Sequence, residues 1–270
     1  MADVRIRPLR TLADFEGCVR IQRDVWGHAD LDITPVHNFR ISVETGAILL
    51  GAFSGRRLVG YVYSFPALLD GAVCQHSHHL AVVPGFQRRG LGFALKRAQW
   101  REALRRGFRL MTWTYDPLKA RNANLNLHAL GAIGRRYLDD FYGPTPSLVL
   151  GPGLPTDRLL IEWPIATKRV RDRMAGRRPA PLDPERLPQA VQAAPGGAYP
   201  RIVPRRPDLR RTDARLLVEL PRDIRDLRGV PGLVGRWQGV VRSALKRYFA
   251  AGYRLDDFIA GERAFYVLKK

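Results

Sequence analysis

Apolar residues recur at strand and helix spacings along the first 165 positions of the chain. Positions 4–9 alternate and end near a proline, which predicts a first strand. Thr11 is a suitable N-cap for the helix that follows, whose apolar positions include Phe15 and Val19. The further predicted elements are a helix over 35–44, strands over 47–53, 58–65 and 74–83, a helix over 90–106, a strand over 108–114, a helix over 120–130, and strands over 147–150 and 159–163. This order predicts a mixed α/β fold.

The composition changes after about residue 165. Residues 168–178 are strongly basic, and eight prolines follow between positions 179 and 207. Order resumes with a predicted strand over 216–220, a helix over 231–250, and strands over 253–259 and 264–268. We therefore predict a main domain over 1–165, a basic, proline-rich linker or wrap over 166–212, and a smaller strand–helix–strand–strand extension over 213–270. Because so short an extension has a marginal core, we expect it to pack on the main domain or on a second subunit of a homodimer.

The composition is that of a globular protein, since 46% of the 270 residues are hydrophobic. The two cysteines, Cys18 and Cys74, are too few for a disulfide scaffold and indicate a reducing compartment. The first residues lack the apolar segment of a secretory signal, and no apolar run approaches the roughly 18 residues of a membrane span. We expect a soluble, cytoplasmic protein without a membrane partner.

The formal net charge of +20 is the unusual feature of the composition. Such a charge attracts polyanions, including nucleic acids and phosphorylated cofactors. The alternative is that arginine is simply abundant on a solvated surface, and charge alone does not decide between the two.

The stretch from Leu80 to Gly92 has the features of an anion-binding site. A buried strand runs into a short basic loop, and a helix begins directly after it. The first turn of a helix offers unbonded N–H groups and a positive dipole end. Gly90 and Gly92 allow close approach of a phosphate, while Arg88 and Arg89 add positive charge. A pyrophosphate group would match this arrangement.

The spacing of these glycines excludes two common nucleotide motifs, the P-loop and the dinucleotide-binding motif Gly-x-Gly-x-x-Gly. It resembles the Gln/Arg-x-x-Gly-x-Gly/Ala motif of the GNAT acetyltransferase superfamily, together with the Leu-x-Val-x-Pro that precedes it in that superfamily. The resemblance covers residues 4–165. It implies a central mixed, mostly antiparallel sheet flanked by helices, and an N-acyltransferase that uses acetyl-CoA or another acyl-CoA, such as succinyl-CoA.

The resemblance also implies where the cofactor binds. The strand before the loop would bind the pantetheine arm of CoA through the backbone groups of Leu80, Ala81 and Val82. The loop and first helical turn would bind the pyrophosphate through the N–H groups of Gln87, Arg88, Arg89, Gly90, Leu91 and Gly92. Family members often place an asparagine near the start of the next helix against the pantetheine, and Asn122 is the candidate here.

A narrower resemblance involves the segment 112–131, together with Tyr137, Tyr142 and Gly143. It is similar to a GNAT subgroup associated with N-succinylamino-acid racemases. That similarity implies an amino acid as the amine acceptor.

Amine acylation requires a proton acceptor for the amine, and histidine titrates in the suitable range. Many superfamily members have a glutamate six residues before the strand valine, and His76 occupies that position. Because side chains alternate along a strand, His78 is expected on the face of His76, Leu80 and Val82, with His79 on the other. The alternative is that these histidines are structural. Asp116, after the next strand, is a candidate for binding the substrate ammonium, or it is a turn initiator.

The superfamily often protonates the departing thiolate with a tyrosine, but Leu127 stands at the corresponding position here. His128, Tyr137 and Tyr142 are the alternatives, and we select Tyr137. No zinc-type spacing of cysteine and histidine occurs, so no metal is expected. Cys74 lacks an activating pattern, which favours direct transfer over a covalent cysteine intermediate.

Three functional hypotheses follow from the sequence. The first is a small-molecule N-acyltransferase that forms a ternary complex with an acyl-CoA and an amine. The second is an acetyltransferase or binding protein directed at nucleic acid or protein, suggested by the net charge. The third is a non-catalytic acyl-CoA sensor, suggested by Leu127 and by the unexplained C-terminal segment.

Overall fold

The computed structural model describes residues 4–27, 30–143, 154–194, 202–227 and 229–270. The chain forms two compact units, one of Met1–Trp113 with Pro164–Thr167 and one of Thr114–Trp163 with Lys168–Lys270. The packing therefore groups the residues after Trp113 with the C-terminal part of the chain, whereas the sequence suggested a main domain ending near residue 165.

The described residues of the first unit form a mostly antiparallel sheet and three α-helices. Its elements are β1 (Val4–Pro8), α1 (Leu12–Trp26), α2 (Val36–Glu44), β2 (Ile48–Ser54), β3 (Arg57–Leu69), β4 (Ala72–Val82), α3 (Leu91–Arg105) and β5 (Met111–Tyr115), the last two residues of which belong to the second unit. The strand order is β1-β2-β3-β4-β5. All neighbours are antiparallel except β4 and β5, which are parallel.

Helix α1 begins at a reciprocal capping box. The hydroxyl of Thr11 accepts from the N–H of Asp14, and the carboxylate of Asp14 accepts from the N–H of Thr11, each at 3.2 Å. Arg7 pairs with Asp14 at 2.7 Å and so ties the helix start to β1. The buried face of α1 includes Phe15, whose ring stacks on Phe39 of α2. These contacts hold both helices against the sheet that carries β4.

The second unit is also mixed and mostly antiparallel. Its elements are α4 (Ala120–Ala123), which continues as a π-helical segment (Asn124–Ala129), β6 (Ile133–Leu138), β7 (Arg158–Trp163), α5 (Lys168–Met174), β8 (Gln189–Val191), β9 (Arg215–Leu220), α6 (Leu233–Ala250), β10 (Arg254–Ala260) and β11 (Ala264–Lys269). The strand order is β7-β6-β10-β11-β9-β8, with only β8 and β9 parallel among the described pairs. Its core includes the fully buried Trp163, Trp237, Tyr248 and Tyr266.

The basic tract at 168–178 is largely α5, and much of its charge is used inside the second unit. Lys168 and Arg177 both pair with Asp172, at 2.8 and 2.6 Å. Arg169 donates to the carbonyl of Gly131 at 2.9 Å and pairs with Asp256 at 3.2 Å. These contacts give the tract a structural role.

Most of the predicted elements are confirmed within a few residues, as is the mixed, mostly antiparallel sheet with flanking helices. Strand β6 and the short elements α5 and β8 were not predicted. Of these, β6 contains two arginines and lacks clear alternation, while β8 lies in the proline-rich segment. The predicted strand at 147–150 lies outside the described residues. In the part of the chain that the structure describes, no helix is long and apolar enough to cross a membrane.

Candidate active site

Strands β4 and β5 run parallel, and among the described residues they pair only near the middle of β4 and at the first two residues of β5. Gln75 pairs with Met111 and His76 with Thr112, and no later pair is recorded between these two strands in the described residues. On its other edge β4 pairs with β3 along its full length, as far as Val82. The β4 edge after His76 therefore presents backbone groups that a ligand can bind, as in strand addition.

A β-bulge lies at the centre of β4. Tyr63 of β3 pairs with His79 and Ser64 pairs with Ser77, so His78 is an extra residue without an opposite partner. Because a bulge shifts the alternation of side chains by one position, the expectation that His79 lies on the face opposite to His76 is wrong, as is the expectation that Leu80 and Val82 share the face of His76. The register places His76 on the face of His79 and Ala81, while Leu80 and Val82 lie on the opposite face.

The bulge gathers three histidines on one face of the sheet. The His78 ring stacks on His79 with centroids 4.4 Å apart, and lies 6.4 Å from His76. His78 is exposed, whereas His79 is buried and its Nδ1 lies 2.9 Å from the hydroxyl of Tyr61. The Trp26 ring lies 5.0 Å from His79. His79 is therefore part of the aromatic core, and His78 is the accessible member of the group.

His76 lies at the point where β4 and β5 diverge. Its Nδ1 is 3.0 Å from the hydroxyl of Thr112, and its ring is 5.5 Å from that of Phe65. Burial, assisted by His78 and by the positive charge of Lys96, lowers the pKa of His76 to about 4. The ring is consequently neutral near pH 7 and can accept a proton.

A side chain of the loop between β4 and α3 forms a hydrogen bond to the end of β4. The amide Nε2 of Gln87 donates to the carbonyl of Val82 at 2.8 Å, so this predicted pantetheine contact is already engaged by the loop. Arg88, Arg89 and Gly90 are exposed. Helix α3 begins at Leu91, and by helix geometry the N–H groups of Leu91 and Gly92 have no acceptor within the helix.

Two residues of this loop adopt left-handed backbone angles, Arg88 with a φ of 62° and Gly90 with a φ of 75°. An L-residue at such a φ costs roughly 1–2 kcal/mol. Left-handed residues beside right-handed ones form the concave arrays of N–H groups that bind anions. Nothing lies within 4 Å of the position that a Cβ would occupy on Gly90. The space beside the backbone of Gly90, at the start of α3, is therefore open.

Lys96 is a buried cation next to this site that sequence reasoning missed. Its Nζ donates to Ser77 Oγ at 2.8 Å and to Gln99 Oε1 at 3.1 Å, and lies 3.9 Å from the centroid of Trp113. Burial lowers the pKa of Lys96 to about 7. The available signal was its position next to Leu95 on the apolar face of a predicted helix.

Replacement of Lys96 by methionine is expected to stabilise the protein by on the order of 3 kcal/mol below pH 7. The folded-state pKa lies below that of a free lysine, so below pH 7 the full cost of burying the charge is present. Above pH 7 the folded protein loses the Lys96 proton, and near pH 10.5 the unfolded chain loses it as well. The difference in unfolding free energy between parent and variant therefore disappears as the pH rises toward 10.5. Urea unfolding of the parent and the variant at pH 6 and pH 9.5 measures the difference in their unfolding free energies.

Lys168→Met is the control for this comparison, because Lys168 has an 83% exposed side chain. It should change the unfolding free energy by less than about 1 kcal/mol at both pH values. A Lys96→Met protein that is less stable than the parent by the same amount at both pH values would contradict the expected cost of burial.

Asp116 lies in the second unit and is only 5% exposed. Its Oδ1 accepts from the N–H of Leu118 at 2.9 Å, which is the turn-forming arrangement. Its Oδ2 is buried and has no hydrogen-bond partner among the described residues. Burial raises the pKa of this carboxyl group, so it retains a proton more readily than an ordinary aspartate.

Tyr137 is engaged in a buried network. Its hydroxyl donates to Asp157 at 2.6 Å, and Arg242 binds the same fully buried carboxylate through two hydrogen bonds of 2.8 Å. Burial and the hydrogen bond to Asp157 raise the pKa of Tyr137 above its ordinary value. This geometry ties the phenol to a structural ion pair.

The other candidate proton donors also have partners in the second unit. The Tyr142 hydroxyl lies 3.1 Å from that of Thr114 and is about half exposed. His128 lies on the π-helical segment with its Nδ1 3.0 Å from Asp257. Leu127 is fully buried, and Asn122 is exposed at the start of α4.

Both cysteines are buried. Cys74 Sγ lies 3.9 Å from the hydroxyl of Thr112, and burial raises the pKa of its thiol. Since the thiolate is the nucleophilic form, this environment favours direct transfer over a cysteine intermediate.

Comparisons with known proteins give resemblance in fold only. No protein-family model matches the sequence, and no curated protein matches it. The chain is similar to the ribosomal-protein-S18-alanine N-acetyltransferase of Escherichia coli, with 19% identity, 61% of this chain and 96% of that chain covered, and a TM-score of 0.49.

Two further solved structures have a comparable similarity. For a GNAT-family acetyltransferase of Streptococcus pneumoniae, the identity is 16%, the coverage 59% of this chain and 98% of that chain, and the TM-score 0.49. For the PaiA N-acetyltransferase of Thermoplasma acidophilum in complex with coenzyme A, the identity is 12%, the coverage 59% of this chain and 98% of that chain, and the TM-score 0.41. Similarity of this extent does not assign an activity to the chain.

Proposed function

We propose that the protein is an acyl-CoA-dependent N-acyltransferase of the GNAT type, which transfers the acyl group directly to an amine. The divergence of β4 from β5 after His76, directly before a basic loop and a helix N-terminus, carries this proposal. An open strand edge suits an extended arm with amide groups, and the loop suits a pyrophosphate. Acyl-CoA has both parts in that order.

The residues of the first unit divide the binding of acyl-CoA between them. The backbone of β4 up to Ala81 would hold the pantetheine arm, and the N–H groups from Arg88 to Gly92 would hold the pyrophosphate. The carbonyl of Val82 and the N–H of Gln87, which the sequence also suggested, already have partners, the Gln87 amide at 2.8 Å and the carbonyl of Pro84 at 3.2 Å. Arg88 and Arg89 add positive charge with little desolvation penalty, because both are exposed. When bound, the cofactor supplies a thioester carbonyl that is open to attack by an amine.

His76 and His78 would manage the amine proton. In the reaction a C–N bond forms, the C–S bond breaks, one amine proton leaves, and the thiolate gains a proton. A ring with the low pKa of His76 takes a proton only from an acidic donor, such as the positively charged nitrogen of the tetrahedral intermediate. His78 is exposed and lies beside His76, so it can pass this proton to solvent.

The finer assignments extend this proposal. A small-molecule acceptor, in particular an amino acid, is proposed from the similarity of the segment 112–131 to the racemase-associated subgroup. Acetyl and succinyl groups are the two acyl groups to be distinguished. Asn122 and Asp116 are proposed to contact the cofactor and the substrate ammonium, respectively.

Calorimetric titration with acetyl-CoA and succinyl-CoA tests the cofactor, and thiol release in the presence of a panel of amines tests transfer. Binding with turnover supports the enzyme. Binding of acyl-CoA without turnover on any amine would indicate a sensor. Absence of binding, with steeply salt-dependent binding to RNA or DNA, would favour the nucleic-acid alternative.

Replacement of both His76 and His78 by alanine is expected to lower kcat by about 10²- to 10⁴-fold, the usual contribution of a positioned proton acceptor. Binding of acyl-CoA should stay within about twofold of the parent, because the loop and strand edge are backbone features. The two single variants separate the roles of the two rings. Initial rates of thiol release at saturating substrates measure the effect.

His37→Ala is the matched control, since His37 is an exposed histidine on α2. It should leave kcat unchanged. A double variant with the activity of the parent would remove both histidines from the mechanism.

A further inference from the structure

A cavity of about 390 Å³ lies entirely within the first unit. It is bordered by the end of β1, the C-terminal half of α2, the start of β2 and the last turn of α3. We call it the arginine pocket, and its charged lining consists of Arg10, Arg40, Glu44, Glu102, Arg105 and Arg106.

The arginine pocket is separate from the loop that is proposed to bind the cofactor. That loop meets α3 at its first residue, Leu91, whereas Glu102 and Arg105 belong to the last turn of the helix. At a rise of about 1.5 Å per residue, the two ends of this 15-residue helix are about 21 Å apart. A ligand in the pocket would therefore not occupy the place of the cofactor phosphates.

The two glutamates of the pocket are already paired with arginines. Glu102 binds Arg105 and Arg106, each at 2.7 Å. The hydrogen bond from Arg105 is the main cause that lowers the pKa of Glu102 to about 2, so this carboxylate stays ionised. Glu44 binds Arg40 at 3.3 Å, and both side chains of this pair are more than half exposed. Four arginines against two glutamates leave the lining with an excess of two positive charges.

The side chain of Arg10 makes no hydrogen bond or ion pair with the residues that the structure describes. Its backbone is held in place, because its N–H donates to Asp14 Oδ2 at 3.0 Å, within the capping network of α1. A guanidinium carries five N–H donors in a planar fork, and two of them match the oxygens of one carboxylate. Arg10 therefore presents a complete set of donors to an anion at a defined point of the pocket.

The rest of the pocket lining is apolar. Leu9, Ala47, Leu49 and Leu50 are at most 6% exposed, and Val43 of α2 lines the pocket beside them. The volume falls in the range of about 300–1,000 Å³ that is usual for small-molecule sites, which combine apolar surface with a few polar groups that fix the orientation of the ligand. The pocket therefore suits a small molecule with an apolar body and an anionic end.

We propose that the arginine pocket binds a small carboxylate with an apolar body. The carboxylate pairs with Arg10, and the body lies against the apolar residues of β1, α2 and β2. A singly charged carboxylate matches one unpaired guanidinium, whereas inorganic phosphate would gain nothing from the apolar surface. This inference goes beyond the proposed acyl transfer, because the pocket lies at the other end of α3 and its binding can be tested without a reaction.

Sodium isovalerate and sodium phenylacetate are the probes for this pocket. Each is titrated into the full chain at an ionic strength matched with sodium chloride, while the melting temperature is recorded. Sodium acetate provides the charge without the apolar body, and 3-methylbutanol provides the body without the charge. At least one apolar carboxylate should bind about tenfold or more tightly than acetate and the alcohol, because it alone uses both parts of the lining.

Arg10→Gln removes the unpaired guanidinium and keeps a polar side chain of similar shape. This variant should bind the apolar carboxylate about 10- to 100-fold more weakly, as expected for lost charge-assisted hydrogen bonds. Its fold should be unaffected, since Arg10 is exposed and only its backbone takes part in the capping network.

Arg56→Gln is the matched control, because Arg56 is exposed in the turn between β2 and β3 and does not line the pocket. It removes the same charge and should retain the affinity of the parent. Gly90→Glu should retain it as well, since the loop lies at the other end of α3. The proposal is overturned by equal weakening in Arg10→Gln and Arg56→Gln, by a loss in Gly90→Glu, by a response to acetate or the alcohol as strong as to the apolar carboxylates, or by no response of the parent to either apolar carboxylate.

Discussion

Gly90→Glu is expected to weaken the binding of acyl-CoA at least about a hundredfold, which corresponds to roughly 3 kcal/mol. The new carboxylate would lie at the start of α3, where the proposed pyrophosphate meets the helix N–H groups. It would repel the phosphates and would itself accept from those N–H groups, so ligand and side chain would compete for the same donors.

The fold should tolerate this change, so the loss reports on binding. No atom lies within 4 Å of a Cβ placed on Gly90, and the main cost is the left-handed φ of 75°. Gly55→Glu is a close control, since Gly55 has a φ of 57°, equally open surroundings and a place in the β2–β3 turn. It introduces the same charge and similar strain away from the loop, and calorimetry should find its affinity unchanged. Equal affinity in both variants would contradict a cofactor site at Gly90.

The loop could be predicted from the sequence because its signal is local. A buried strand, a basic turn and a helix start follow one another within the thirteen residues from Leu80 to Gly92. Each element depends on neighbours a few positions away, through glycine angles, unbonded N–H groups and the apolar spacing of α3. The structure places all of them as the sequence predicts, although the function of the loop stays a proposal.

The distribution of the histidines could not be predicted in this way. The side to which His76 points depends on a bulge, and the bulge is defined only by the register of β4 on β3. Strict alternation is the correct expectation for a regular strand, and an inserted residue leaves no mark in one sequence. Lys96 was missed for a related reason, since its burial depends on Ser77 and Trp113 from two separate strands.

The partners of Tyr137 show the same limit over longer separations. Asp157 lies 20 residues away, and Arg242 lies 85 residues beyond Asp157. Tyr137 was selected from the sequence as a substitute for the tyrosine missing at Leu127, whereas its hydroxyl donates to a carboxylate that also binds an arginine. Sequence reasoning identifies residue types suited to a chemistry, but it does not show which of them are already engaged in the fold.

Asp157→Ala is accordingly expected to destabilise the second unit by about 2–3 kcal/mol, less than the cost of breaking a fully buried ion pair from one side, because the Arg242 side chain is 31% exposed. Asp157 is fully buried and accepts from Arg242, from the Tyr137 hydroxyl and from the N–H of Asp140. Its removal leaves Arg242 with only the more distant carboxylate of Asp139, at 3.7 Å, and leaves the Tyr137 hydroxyl and the N–H of Asp140 without this acceptor. Urea unfolding, followed by circular dichroism, measures the loss.

Asp139→Ala provides the comparison, because Asp139 is 45% exposed and its pairs with Lys246 and Arg242 lie at the surface. It should cost less than about 1 kcal/mol. Adding Arg242→Ala to Asp157→Ala should recover part of the loss, since the charge left with only a distant carboxylate is then also removed. Tyr137→Phe separates structure from catalysis: a phenol that only supports the ion pair predicts a loss of about 1 kcal/mol in stability with unchanged kcat, whereas a fall in kcat at unchanged stability would make Tyr137 the proton donor after all.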